Sequence, residues 1–205
     1  MLTIILNVNT SRLMQQSMGT TVKPGDEVLE SRDYESKTDL DFLRRLQNGD
    51  NLAWEQLLDE WQGPLFQYLC YSLPSAEAAQ DVLSDTLEAL VKAFLRFDGK
   101  AAISTFMYSI ASRKIADYYR KRKKTTEIPE TISTRAPSSD SMVFRDVLEN
   151  IQPQYREALL LRYHMGLSVS EVAQVIGRSY KATESLLSRG RKQLEIDLGT
   201  AGFYL

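Results

Sequence analysis

The sequence predicts an all-α protein built from two small helical modules joined by a tether, the second module containing a helix-turn-helix. Three observations carry that prediction. From Leu40 to Leu194 apolar residues recur at helical spacing between cap and stop signals. No run sustains the alternation of a strand. Residues 125–140, TTEIPETISTRAPSSD, hold two prolines, many hydroxyls and few large apolar groups, which is the composition of a linker.

The elements follow in order. Residues 1–37 lack sustained periodicity and include Lys23-Pro24-Gly25-Asp26, so a mobile leader is expected; a true start at Met14 or Met18 fits equally well. The first module spans 38–124. Thr38-x-x-Asp41 has the form of a capping box, ahead of an apolar side of Leu40, Leu43 and Leu46. Asp50 caps a second helix bearing Trp54, Leu57, Leu58 and Trp61, and Pro64 is expected to restart a third with Leu65, Phe66, Tyr68 and Leu69. Pro74-Ser75 opens a long helix that runs to Phe97, with Asp98-Gly99 as its stop, and Ser104 opens another that ends in Arg120-Lys121-Arg122-Lys123-Lys124.

Beyond the linker, segments 141–151, 153–165, 169–176 and 180–198 read as helices, followed by a tail over 199–205. Ser168 and Glu171 form a capping box, and Val172, Ala173 and Ile176 give the helix they start its buried side. Gly177 supplies the left-handed residue that ends it, and Ser179 caps the next almost at once. So short a turn between two helices is the helix-turn-helix arrangement, whose second helix enters the major groove. An ordinary helical hairpin with a solvated charged face is the competing reading.

Composition narrows the function. One cysteine, Cys70, and one histidine, His164, preclude an internal disulfide and leave a Cys/His metal site without ligands, so no metal or cofactor is expected. Leu2–Leu6 is too short for a membrane span or a secretory signal, and a cytoplasmic setting is expected. The net charge of −2 conceals an asymmetry: residues 1–100 carry 9 Lys/Arg against 16 Asp/Glu, and residues 101–205 carry 16 against 11. One half therefore suits a basic partner and the other a polyanion, while a pI near 5.6 argues against general coating of nucleic acid. No P-loop, GxGxxG, HExxH or CxxC occurs, so no enzyme is expected.

Helical spacing sorts the charges into faces. Glu77, Asp81, Asp85 and Glu88 fall within about 80° of one another, opposite Leu83, Leu87, Leu90 and Phe94. That acidic stripe is either a solvated face or a docking surface for a basic partner. Ser109, Arg113, Ala116 and Arg120 form a small, basic side extended by Lys123 and Lys124, with Phe97, Phe106, Tyr108, Tyr118 and Tyr119 nearby. Basic groups with aromatic rings suit unpaired DNA, unless the rings belong to the core. In the last helix, Thr183, Leu186, Leu187, Gly190 and Leu194 share one side. Lys181, Glu184, Ser185, Ser188 and Lys192 lie opposite, flanked by Arg178, Arg189 and Arg191 for phosphates.

The motifs AAQDVLSDTLEALVKAF (78–94), STFMYSIASRKIADYYRKRKK (104–124) and IQPQYREALLLRYHMGLSVSEVAQVIGRSYKATESLLSRGRKQL (151–194) together resemble the sigma-70 family of bacterial RNA polymerase factors, most of all its extracytoplasmic-function (group IV) type. The resemblance covers residues 38–198. It implies a factor that binds core RNA polymerase, recognises the −35 and −10 promoter elements and promotes strand opening. By position it assigns Gln80, Asp81, Asp85 and Glu88 to the polymerase clamp. Phe97 to Ile103, Lys100 included, fall in the loop that captures a flipped base, and Ser109, Arg113, Ala116 and Arg120 on the −10 helix. Residues 125–140 match the linker, and Lys181, Glu184, Ser185, Ser188 and Arg189 match the −35 readers. An anti-sigma factor is a further implied partner.

Two departures stand out: Phe106 where tryptophan is common, and Glu184 where a basic residue is frequent, which opens cytosine N4 as a target. The implied mechanism is binding and strand capture without covalent chemistry, with the isolated chain a poor promoter binder until polymerase orients both modules. The main rival is a helix-turn-helix regulator acting on duplex half-sites without polymerase.

Overall fold

A computed structural model describes residues 40–124 and 150–200; the leader, the linker and most of segment 141–151 lie outside the described residues, as does the Thr38 capping box. The described elements are helices α1 (Leu40–Gln47), α2 (Asn51–Ser72), α3 (Ala76–Phe94) and α4 (Ile103–Lys124), then α5 (Pro153–Leu159), a π-helical turn (Leu160–His164), α6 (Val169–Ile176) and α7 (Tyr180–Thr200). The chain is all-α, with no strand among the described residues.

The N-terminal module is organised by its caps. Asp50 accepts from the Leu52 and Ala53 amides to start α2, and Arg45 Nε donates to its second oxygen at 2.7 Å. That Arg45 hydrogen bond is the main reason the Asp50 carboxyl sits below its usual pKa. Trp54 Nε1 donates to the Leu46 carbonyl at 3.0 Å and so fixes α1 on α2. Leu43 and Leu46 are buried as expected, but Leu40 is 57% exposed at the free end of α1.

Pro64 does not restart a helix; α2 runs unbroken past it. The missing amide would have bonded the Glu60 carbonyl, and Glu60 is an exposed residue, so the lost bond falls on the outer side of α2 rather than in the core. Ser75 caps α3 through the Ala78 amide. Leu83, Leu90 and Phe94 fill the core from α3, and the Phe94 ring meets Trp54 and Phe106 edge-on at 5.5 and 5.1 Å.

In the C-terminal module, Ser168 and Glu171 make the capping box and Gly177, at φ +66°, ends α6. The buried residues of α6 are Val172, Ala173 and Val175, with Ile176 half-buried. Ser179 Oγ then accepts from the Ala182 amide at the start of α7. Thr183, Leu186, Leu187 and Gly190 are buried on one side of α7, while Leu194 is only partly covered. Gly190 faces α5, where an added Cβ would lie 3.2 Å from both Leu159 and Tyr155 Cβ.

The modules are packed on one another, which the picture of two units on a tether did not include. Thr105 Oγ1 donates to Glu171 Oε1 at 3.2 Å, Tyr108 Oη donates to Met165 Sδ at 3.0 Å, and Ser112 Oγ donates to Glu157. Tyr71 meets His164 edge-on at 4.9 Å. Buried residues of both modules form one continuous apolar cluster. Beside the Ser112–Glu157 pair, Tyr68 Oη is buried with no hydrogen bond of good geometry. Burial first, and the Glu157 charge second, hold its pKa well above the ordinary phenol value.

Two stability predictions follow from these sites. Gly190→Val forces branched methyls against Leu159 and Tyr155 and should cost about 2 kcal/mol in urea unfolding; an unchanged midpoint would contradict the close approach of α5 and α7. Tyr68→Phe removes an unsatisfied hydroxyl and should stabilise by about 1 kcal/mol. Because the fold keeps Tyr68 neutral, the unfolded chain releases its proton first. Stability from this group is complete below pH 10.0 and is lost as pH rises beyond it, so the Phe variant should lose less between pH 9 and 11.

Candidate nucleic-acid interface

Two surfaces meet the physical requirements for DNA. On α7 the buried side turns inward, and Lys181, Glu184, Ser185, Ser188, Arg189, Arg191 and Lys192 are all exposed, with Arg178 exposed in the turn before it. The capping box starts α6 and Gly177, at φ +66°, ends it, so the chain turns into α7 within a few residues. The ion pairs Arg45–Asp50, Glu88–Lys92, Asp98–Lys100 and Arg120–Asp117 all lie outside α7. Its cations and its one central carboxylate, Glu184, are therefore uncommitted to internal pairs, as a reading surface requires.

The second surface lies on α4. Arg113, Ala116 and Arg120 are exposed, with Arg120 paired to Asp117 at 2.6 Å. Ser109 is half-buried, and its hydroxyl donates to the Thr105 carbonyl at 2.7 Å. Lys123 and Lys124 close the helix, and their side chains lie outside what is described.

The aromatic rings divide between core and surface. Phe97 is buried and stacks on Phe106 at 4.1 Å with planes 22° apart, so its ring is part of the packing rather than open to a base. Tyr108 is buried as well. Tyr119 is 44% exposed and donates to the Ser72 carbonyl at 2.8 Å, and Tyr118 receives Arg122 Nη1 at 3.1 Å.

Between α3 and α4, Asp98 accepts from the Lys100 amide and pairs with Lys100 Nζ at 2.7 Å. This contact lowers the Asp98 pKa and raises that of Lys100. Gln47 was not foreseen: its Nε2 donates to the Phe94 and Phe97 carbonyls at 3.2 and 2.9 Å, anchoring the start of the loop from α1. A glutamine at a helix end carries no sequence signal for a loop some fifty residues away.

On α3, Asp81, Asp85 and Glu88 are exposed along one side with Gln80 partly covered, opposite the core. Glu88 pairs with Lys92 at 2.6 Å, and that hydrogen bond lowers its pKa. Among the described residues, no cluster of three His, Cys, Asp or Glu could hold a metal, and no helix is long and apolar enough to cross a membrane.

Comparison with known proteins converges on one family. Residues 57–125 match the model for sigma-70 region 2, and residues 141–194 match that for sigma-70 region 4. Over 148 residues the chain is 24% identical to RNA polymerase sigma factor SigZ of Bacillus subtilis, covering 69% of this chain and 84% of that protein. It is 23% identical over 175 residues to ECF RNA polymerase sigma factor BldN of Streptomyces coelicolor, covering 79% of this chain and 66% of BldN. Among solved structures, CnrH in complex with the cytosolic domain of CnrY aligns with a TM-score of 0.65 at 25% identity, covering 79% of this chain and 97% of that one.

Proposed function

With the chain belonging to the sigma-70 family of bacterial RNA polymerase sigma factors, and within it to the extracytoplasmic-function type, we propose how its surfaces divide the work of transcription initiation. The protein directs core RNA polymerase to promoters; the family acts by binding rather than by catalysis, and this chain works without covalent chemistry. Its first module spans 38–124 and its second 141–198. The α3 stripe of Gln80, Asp81, Asp85 and Glu88 docks on a basic surface of the polymerase clamp. The exposed α7 face reads the −35 element in the major groove. On α4, Arg113, Ala116 and Arg120, with Ser109, Lys123 and Lys124, engage the −10 element, and Lys100 holds the phosphates beside the opened strand.

The observation that carries this reading is α7, whose exposed face bears uncommitted polar and basic side chains directly after the short Gly177 turn from α6. Because Phe97 and Tyr108 belong to the core, Tyr119 and Tyr118 are the rings nearest the −10 side that remain for stacking on unpaired bases. The setting is cytoplasmic, at the nucleoid when the factor is active, and an anti-sigma factor is a further partner on the family's pattern.

Run-off transcription with bacterial core polymerase on a genomic promoter library tests the whole assignment. Discrete transcripts that appear only with this protein and share two upstream elements are expected. No transcripts, combined with tight duplex binding by the free chain, would instead establish a polymerase-independent regulator.

Two substitutions test its parts. Asp81→Lys with Asp85→Lys, at exposed positions, should leave helicity intact and weaken capture of core polymerase by tenfold or more in pull-down; undiminished capture would remove the stripe from the docking surface. Glu184→Gln should relax the preference for one −35 base pair by about 1–3 kcal/mol in competition binding of the holoenzyme, with the lost preference at a cytosine. An unchanged sequence preference would take Glu184 out of base readout.

A further inference from the structure

We propose that Asp98 and Asp117 are counter-charges to the −10 surface, each holding one of its cations, Lys100 or Arg120, in a neutral pair that promoter phosphate has to displace. The inference rests on the sigma reading and adds two positioning residues that act through cations already placed on the DNA side.

The first pair is built into the turn Asp98-Gly99-Lys100 between α3 and α4. Gly99, at φ +72°, takes the left-handed conformation that brings the chain back on itself. Both oxygens of Asp98 then serve one residue: Oδ1 accepts from the Lys100 amide at 3.2 Å, and Oδ2 meets Lys100 Nζ at 2.7 Å. Gln47 Nε2 holds the Phe97 carbonyl at 2.9 Å, so the residue before the turn is anchored to α1. The second pair lies within α4. Asp117 and Arg120 are neighbours at helical spacing, and Arg120 Nη2 reaches Asp117 Oδ1 at 2.6 Å.

Exposure makes both pairs exchangeable. The Lys100 and Arg120 side chains are 86% and 71% exposed, and those of Asp98 and Asp117 are 57% and 42% exposed. Ion pairs so open to water contribute little to the fold. A phosphate oxygen offers each cation the same charge-assisted contact that its carboxylate gives, so one partner replaces the other at small net gain. The carboxylate left behind stays beside the strand and offsets part of the phosphate attraction.

The α7 face is arranged differently. Lys181, Arg189, Arg191 and Lys192 are exposed there, and both pairs lie away from it. A neutral pair has little field beyond the Debye length of about 8 Å at physiological salt, so long-range attraction of DNA falls to α7. The −10 surface engages only when an unpaired strand is already at hand. Phosphate contacts carry affinity without sequence information, so damping them on this side raises the share of binding that depends on bases.

The test titrates holoenzyme, over a range of KCl, with a fork junction of a promoter it transcribes, the −10 non-template strand left unpaired. Asp98→Asn keeps an oxygen for the Lys100 amide, and Asp117→Asn keeps a side chain of the same size, so each removes charge alone. Each should tighten binding by about two- to fivefold, the scale of an exposed ion pair. Each should also steepen the fall of log affinity with log salt by up to about 0.7, the contribution of one phosphate on a single strand. A merely structural role would not move that slope. In Lys100→Gln or Arg120→Gln holoenzyme the matching Asn substitution should give no gain. An equal gain with and without the cation would overturn the pairing in favour of simple repulsion by the carboxylate. Unchanged affinity and slope, or weaker binding, would overturn the counter-charge role outright. If Lys100→Gln and Arg120→Gln themselves left binding unchanged, the placement of these cations on the −10 side would fail, and the counter-charge role with it.

Discussion

Helix α4 is committed on every side, and the rest of the molecule is arranged around how its turns are shared. One side carries Met107, Ile110 and Ala111 into the core. A second stripe holds the C-terminal module, and a third leaves Arg113, Ala116 and Arg120 to solvent. At 3.6 residues per turn these sides adjoin, so the exposed face of Arg113, Ala116 and Arg120 lies next to the side packed on the C-terminal module. The boundary between the modules is mixed: hydrogen bonds through Thr105 and Ser112 lie beside an apolar cluster that runs through both modules.

Charge follows the same division. Acids collect on α3 and bases on α4 and α7, so one partner surface attracts what the others repel. The pairs Glu88–Lys92, Asp98–Lys100 and Arg120–Asp117 are local and exposed, and contribute little to stability. The helix-turn-helix face has none, which leaves its binding energy for DNA.

Much of this was legible in the residues. Ser168, Glu171 and Gly177 specify helix, cap and turn by local chemistry alone, and α6 and α7 begin where those signals fall. The buried and exposed sides of α7 and α3 likewise follow from spacing. Pro64 misled because its cost depends on whether Glu60's carbonyl meets water, which is a tertiary fact. Phe97 misled because an aromatic beside a loop serves the core or a ligand equally well by sequence. The packing between modules could not be read at all: Thr105, Ser112 and Glu157 are ordinary surface residue types, and only their meeting across sequence separations of 45 and 66 residues gives them a role.

The account's central claim is that two readers on one chain act at separated sites only when polymerase holds them apart. Hydroxyl-radical footprinting of one promoter, with the free chain and with the holoenzyme at matched salt, tests it most directly. The account predicts two separate protected patches with holoenzyme and no more than weak protection by the free chain. Equal protection of both patches by the free chain would contradict it.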